Sequence, residues 1–261
     1  MNTINRFWLL LSIIVIGIVA VSSTLSVPSA YGADHYNLEP GIPVQLEDSL
    51  PTPYRNREIQ GLFRWEQADD GDDLFLLAPR LEYGLLPNGQ MAIDVPFEFG
   101  SAVEEEGLGD IKADLLYNFN QESVIFPALS LASAIAFPTS DDSDGIETKL
   151  TFIASKTVGR SRWQRIHLNA SWHFNDDSDD EKRRNYYSGI IGYDVVIIPD
   201  LLLVLDFIRE QQEKENHEAN IFEAGLRYQL TPLTVLALGT GAGIGDESPD
   251  FRATVGFQKS F

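Results

Sequence analysis

The sequence predicts an all-β chain: a single antiparallel transmembrane β-barrel of about twelve strands, preceded by a cleaved N-terminal signal peptide. Three observations carry this reading. Residues alternate with a period of two over runs of about ten, connections alternate between tight turns and longer polar loops, and aromatic residues gather at both ends of the strands.

The leader comes first. Arg6 precedes the uncharged apolar stretch 7–21, which is followed by Ser22, Ser23, Thr24 and Pro28; Ala30 and Gly32 are small residues at the two positions a signal peptidase inspects. Cleavage is therefore expected after Gly32, within a few residues. The apolar run falls short of the ~20 residues that a spanning helix prefers, which disfavours a retained anchor. The region 33–56 holds Pro40, Pro43, Pro51 and Pro53 together with Glu47 and Asp48, so it is expected to be irregular. It is either a periplasmic tail or a plug folded into the barrel, and the sequence leaves both open.

The barrel itself is expected over 57–261. Met91, Ile93, Val95, Phe97 and Phe99 alternate with Gln90, Ala92, Asp94, Pro96 and Glu98. The same period runs through 110–119, 165–174 and 251–261. Extended over the chain, it places strands near 57–67, 73–85, 89–100, 109–120, 124–137, 146–158, 162–174, 185–196, 201–210, 218–230, 233–241 and 250–261. A strand of about 11 residues, rising ~3.3 Å per residue and tilted ~45°, climbs roughly 26 Å, the height of an outer-membrane apolar band. Pro79, Pro96 and Pro127 sit inside these strands and require local irregularities, because proline donates nothing to a ladder. Tight turns at 86–88, 121–123, 159–161, 197–200 and 231–232 alternate with the loops 68–72, 101–108, 138–145, 175–184, 211–217 and 242–249. Short turns belong to the periplasmic side of such barrels and long loops to the outside. One aromatic girdle is expected from Trp65, Phe99, Trp172, Phe174, Tyr187, Phe207, Phe222 and Phe251, the other from Tyr83, Tyr117, Phe119, Tyr193, Tyr228 and Phe261.

Composition excludes several functions. The 261 residues carry 39 acidic and 19 basic side chains, a formal charge of -20, and no cysteine. That much carboxylate repels a phosphate backbone, so no nucleic-acid partner is expected. Without cysteine there is no disulfide scaffold, thiol nucleophile, lipoprotein anchor or cysteine-ligated metal. Nothing suggests a cofactor, and none of the acid runs, at 69–73, 104–106, 141–144, 176–181 and 246–247, has the spacing of a calcium loop. They are solvated charge or, through divalent cations, contacts to lipopolysaccharide. Gly107-Leu108-Gly109-Asp110 and Gly243-Ile244-Gly245-Asp246 both lead into strands and serve turn geometry that requires glycine or, as the alternative, a cation site at the mouth.

Several segments resemble a known family: 41–60 (GIPVQLEDSLPTPYRNREIQ), 107–110, 126–138, and above all 225–257, where Tyr228-Gln229-Leu230-Thr231-Pro232 is followed by Gly243-Ile244-Gly245-Asp246 and Ser248-Pro249-Asp250. They are similar to the outer-membrane transporter-like family named after the meta-cleavage pathway of phenol degradation, and the likeness covers most of the chain beyond the leader. The resemblance implies a channel or passive transporter for small solutes, with aromatic or other hydrophobic compounds as the solute class. Terminal Phe261, with Phe257, Val255 and Ala253 at alternate positions, resembles the signal read by the barrel-assembly machinery; Lys259 departs from the apolar residue usual there.

On parity, the candidate pore-lining residues are Arg64, Arg80, Glu82, Asp94, Glu98, Asp110, Lys112, Asp114, Lys149, Arg165, His167, Glu223, Arg227 and Arg252. Two readings follow from so mixed a wall. It is a hydrated, acid-biased pore that favours cations and neutral solutes, or a salt-bridge ladder that fills a narrow lumen. Leu62, Leu74, Leu76, Leu116, Ile153, Ile190 and Val204 share the inward parity and would suit an apolar solute. A mainly structural or adhesion barrel is the rival class. A lipid-cleaving hydrolase is disfavoured, since His167, Asn169, Ser171 and His173 share the inward parity and no acyl chain reaches them from the bilayer. Oligomeric state is not legible.

Overall fold

A computed structural model describes residues 32–68, 71–103, 106–140, 145–159, 163–176, 183–211, 217–245 and 247–261. Its strands are β1 (Arg57–Gln67), β2 (Asp73–Leu86), β3 (Gly89–Asp94), β4 (Phe97–Phe99), β5 (Gly107–Leu108), β6 (Ile111–Asn120), β7 (Ala128–Phe137), β8 (Glu147–Thr157), β9 (Gln164–Asn175), β10 (Asn185–Ile198), β11 (Leu201–Gln211), β12 (Glu218–Thr231), β13 (Thr234–Gly243) and β14 (Phe251–Ser260). All pairings are antiparallel between chain neighbours, and β1 pairs with both β2 and β14, so the sheet closes on itself without an edge. These segments make a barrel of twelve strands, because β3 and β4 are two pieces of one strand and β5 and β6 two pieces of the next.

That division and one other boundary differ from the period-two expectation, and proline causes both. Pro96 has no N–H, so the ladder breaks at Val95 and Pro96 and resumes with Phe97. Val95 still donates to the Pro79 carbonyl (3.0 Å) and Gly109 to the Pro96 carbonyl (2.9 Å), which keeps the halves in line. β7 begins at Ala128 rather than 124. Val124, Ile125 and Phe126 are in a loop closed by Ser123 N–H donating to the Phe126 carbonyl (2.9 Å), so the 121–123 turn is longer than expected. Of the leader, only Gly32 falls within the described residues. Of the acid runs, Asp69, Asp70, Glu104, Glu105, 141–144, 177–181 and Asp246 lie outside them.

Side chains of one parity point outward and form an apolar belt: Leu115, Leu168, Ile191, Phe222, Leu238 and Val255 are exposed on successive parts of the wall. Aromatic contacts mark its two rims. At the loop end the Trp65 and Phe251 rings lie 5.5 Å apart and Trp172 and Phe174 6.2 Å apart; at the turn end Tyr117 meets Phe119 at 5.4 Å. Phe257 faces outward with its ring over Gly61, and Phe261 donates to the Arg57 carbonyl (3.0 Å). An arginine at the belt's midline is expected to be costly. Leu168→Arg should lower unfolding stability in urea by about 2–4 kcal/mol, and an unchanged value would mean that this face does not meet lipid.

Candidate functional site

Opposite parity turns inward, and the lumen is occupied by the chain's own N-terminal segment. Residues 34–56 enter and leave at the turn end. Arg227 Nε donates to the His35 carbonyl (3.0 Å) and Nη1 to the Ile42 carbonyl (2.8 Å), while the Tyr36 hydroxyl donates to the Pro199 carbonyl (3.3 Å). Between them the segment folds over itself: Gly41 N–H donates to the Val44 carbonyl (2.8 Å) and Asp48 N–H to that of Leu38 (3.1 Å). Gly41 has φ 89°, a left-handed conformation suited to glycine. Leu38, Val44 and Leu46 pack on Leu202 and Val204 of β11, an apolar core inside a lumen that also carries many charges.

From Gln45 onward the segment makes a circuit of the inner wall. Its N–H groups have no helix or sheet to satisfy them, and wall side chains take that place. Gln45 N–H donates to Glu223 Oε2 (2.8 Å), Leu46 N–H to Asp206 Oδ2 (3.0 Å), Glu47 N–H to Asn169 Oδ1 (3.0 Å) and Ser49 N–H to Ser155 Oγ (3.0 Å). Asn118 Nδ2 (2.9 Å) and Ser130 Oγ (2.7 Å) donate to the Ser49 carbonyl; Thr52 bonds to Glu82, and Arg55 N–H donates to the Gly84 carbonyl (2.8 Å). Wall glycines make room for the segment. A Cβ on Gly239 would collide with the Pro43 carbonyl, and one on Gly225 with the Pro43 ring.

The inward charges form three networks. Arg165 Nη1 donates to Asp48 Oδ2 (2.8 Å) and Nη2 to Asp194 Oδ2 (2.6 Å), with His167 bridging Asp194 (3.1 Å) and Ser155 (2.8 Å). Arg80 meets Asp94 (2.7 Å), Glu82 (3.2 Å), Asp114 (3.3 Å) and Glu39 (3.8 Å). Arg252 meets Glu223 (2.8 Å) and Glu66 (2.9 Å), and Arg64 reaches Glu66 at 3.8 Å. Asp110 instead accepts bonds from Thr139 N–H (3.1 Å) and Ser140 Oγ (2.8 Å), fixing a loop. Asp94, Asp114, Glu82, Glu223, Arg64, Arg80, Arg165, His167, Arg227 and Arg252 are thus held in pairs or against the segment. Glu98, Lys112 and Lys149 make no ion pair among the described residues.

Parity alone missed the segment's own Glu39, Asp48 and Thr52, which complete these networks. The apolar residues Leu38, Ile42, Val44 and Leu46 between its prolines were the available signal. Glu39 belongs to the segment rather than to a spanning strand. Its burial, with Glu82 nearby, holds its carboxyl well above the ordinary range despite Arg80. A carboxyl raised in the folded state stabilises most below its free value and loses that contribution as pH climbs toward the raised one. Wild type should therefore become progressively less stable in urea than Glu39→Gln as pH rises from about 5 to 9. A constant difference between the two would show that folding does not raise the Glu39 carboxyl.

Beyond the segment, toward the loops, lies a cavity of about 310 Å³ floored by Gln45. Lys112, Lys149, Glu147, His173, Tyr186 and Glu210 supply its polar lining and Ala134, Ala136, Ile190 and Ile208 its apolar lining. Glu147 Oε1 accepts from the Tyr186 hydroxyl (2.6 Å) and lies 3.0 Å from His173 Nδ1, and those two rings stack at 4.4 Å.

A closed barrel of this height, apolar outside and ionisable within, defines an outer-membrane β-barrel protein, and this chain is one. Solved structures with the same fold include an outer-membrane channel from Pseudomonas putida F1, at 15% sequence identity and TM-score 0.63, covering 86% of this chain and 100% of that one. The KdgM porin in complex with disordered oligogalacturonate is similar at 11% identity and TM-score 0.55, covering 77% of this chain and 99% of that one. The NanC porin is similar at 11% and 0.54, covering 78% and 100%. No protein-family model matches the chain, and no curated protein does.

Proposed function

We propose that this barrel is an outer-membrane channel or passive transporter for small solutes, with the luminal segment as its constriction. The observation that carries the proposal is the cavity on the loop side of the segment: its Lys112 and Lys149 make no ion pair among the described residues and lie beside an apolar patch of Ile190 and Ile208. A purely structural lumen would have no reason to leave such groups unsatisfied. The similar folds of channels and porins support the reading, and the resemblance of 225–257 to the phenol-pathway transporter-like family supports an aromatic or otherwise hydrophobic solute. Lys112 and Lys149 are the cavity's cations left to meet a solute among the described residues, whereas the networks around Arg80, Arg165 and Arg252 hold the constriction. Lipid, lipopolysaccharide and the barrel-assembly machinery are the partners expected of such a chain.

A non-conducting structural barrel is the second reading, favoured by the three networks that pack the lumen around the segment. Planar bilayers separate the two. Purified protein should give discrete single-channel steps, and a membrane that stays silent while the protein shows heat-modifiable gel mobility would favour the structural barrel.

A further inference from the structure

We propose that the loop-side cavity is a binding site for a small monocarboxylate with an apolar body, its carboxylate held between the ammonium groups of Lys112 and Lys149. The inference rests on the channel reading for its role and names the class of solute; its chemistry comes from the cavity itself. Strand register builds the site. Lys112 on β6 faces Ala136 on β7, and Lys149 on β8 faces Ala134, so the lysines flank a strand that presents only methyl groups between them. Strands next but one are about 9.6 Å apart. Two four-carbon stems are long enough to reach an anion seated over the alanines from either side.

Lys112 and Lys149 make no ion pair or hydrogen bond among the described residues. The acids nearest them on the wall are already engaged: Asp94, opposite Lys112 in the register, is held by Arg80 (2.7 Å), and Glu147 takes the Tyr186 hydroxyl and faces His173. Two like charges in a partly enclosed cavity repel, and an anion that bridges them removes the repulsion while gaining charge-assisted hydrogen bonds. Glu210 lies on β11, three strands from Lys149, and with Glu147 it disfavours a second negative charge on the ligand. Ile190 and Ile208 then receive an apolar body, with the stacked His173 and Tyr186 rings beside it. The cavity volume suits a solute of a single ring.

The test is equilibrium binding to purified full-length protein by isothermal titration calorimetry, with benzoate as the probe and benzyl alcohol, benzylamine and inorganic phosphate as comparators. Benzoate should bind at least tenfold more tightly than benzyl alcohol or benzylamine. Lys112→Gln/Lys149→Gln should weaken benzoate at least tenfold and leave benzyl alcohol unchanged, with heat-modifiable mobility retained. Equal affinity for benzoate and benzyl alcohol would overturn the proposal, as would benzoate binding that survives the double substitution. Phosphate displacing benzoate at equal concentration would overturn the monocarboxylate assignment. Because binding is read without transport, a protein that binds benzoate as described yet conducts nothing would sink the channel reading and leave the site standing.

Discussion

Replacing 36–52 by a glycine-serine linker of equal length should raise single-channel conductance severalfold, by up to roughly tenfold, because the lumen then loses the packed segment that obstructs it. The expectation follows from where the segment's contacts lie. They reach side chains on β2, β3, β6, β7, β8, β9, β11 and β12, so the segment obstructs nearly the whole circumference at one level. A milder version is Gly239→Leu, whose side chain claims the space of Pro43. It should also increase conductance, by less, with the strands intact. Conductance equal to wild type in both variants would place the barrier elsewhere, in the loops.

The largest stability effect is expected at Arg165. Its side chain is 3% exposed, and Asp48 and Asp194, its partners, are fully buried. Arg165→Met leaves two carboxylates without their cation in a water-poor site, a change that costs about 3–5 kcal/mol where it has been measured for buried pairs. Urea unfolding followed by gel mobility reads this directly. Adding Asp48→Asn and Asp194→Asn to the same chain should recover part of the loss, since the uncompensated charges disappear. A cost below about 1 kcal/mol would show that lumen water screens the network as it screens a surface pair.

The strands and their inward faces were legible because period two is a local property: Asp94, Lys112, Arg165 and Glu223 needed only their own strand to declare a side. Proline at 96 and 127 shifted boundaries because an apolar string such as Val124, Ile125 and Phe126 satisfies the same period without pairing. The charge balance was not legible. Asp94 and Asp114 look like an uncompensated acidic wall until register sets Arg80 opposite Asp94. The luminal segment was least legible, since it has no period and its bonds join residues such as Glu47 and Asn169, 122 positions apart. An irregular segment advertises only that it is irregular; what it lies against depends on the whole closed wall.

Both ends of the segment lie at the same mouth of the barrel: Asp34 and His35 beside Gln229 and Arg227, Asn56 beside Glu58 and Ser260. Topologically it is a loop tucked into a tube and not a cord passed through one. Its bonds to the wall almost all run to side chains, and no barrel strand pairs with it. Drawing it out toward the turn side would therefore require no unthreading and would leave every pairing among the barrel strands closed. A barrel stoppered in this way owes its closure to its strands and not to its stopper.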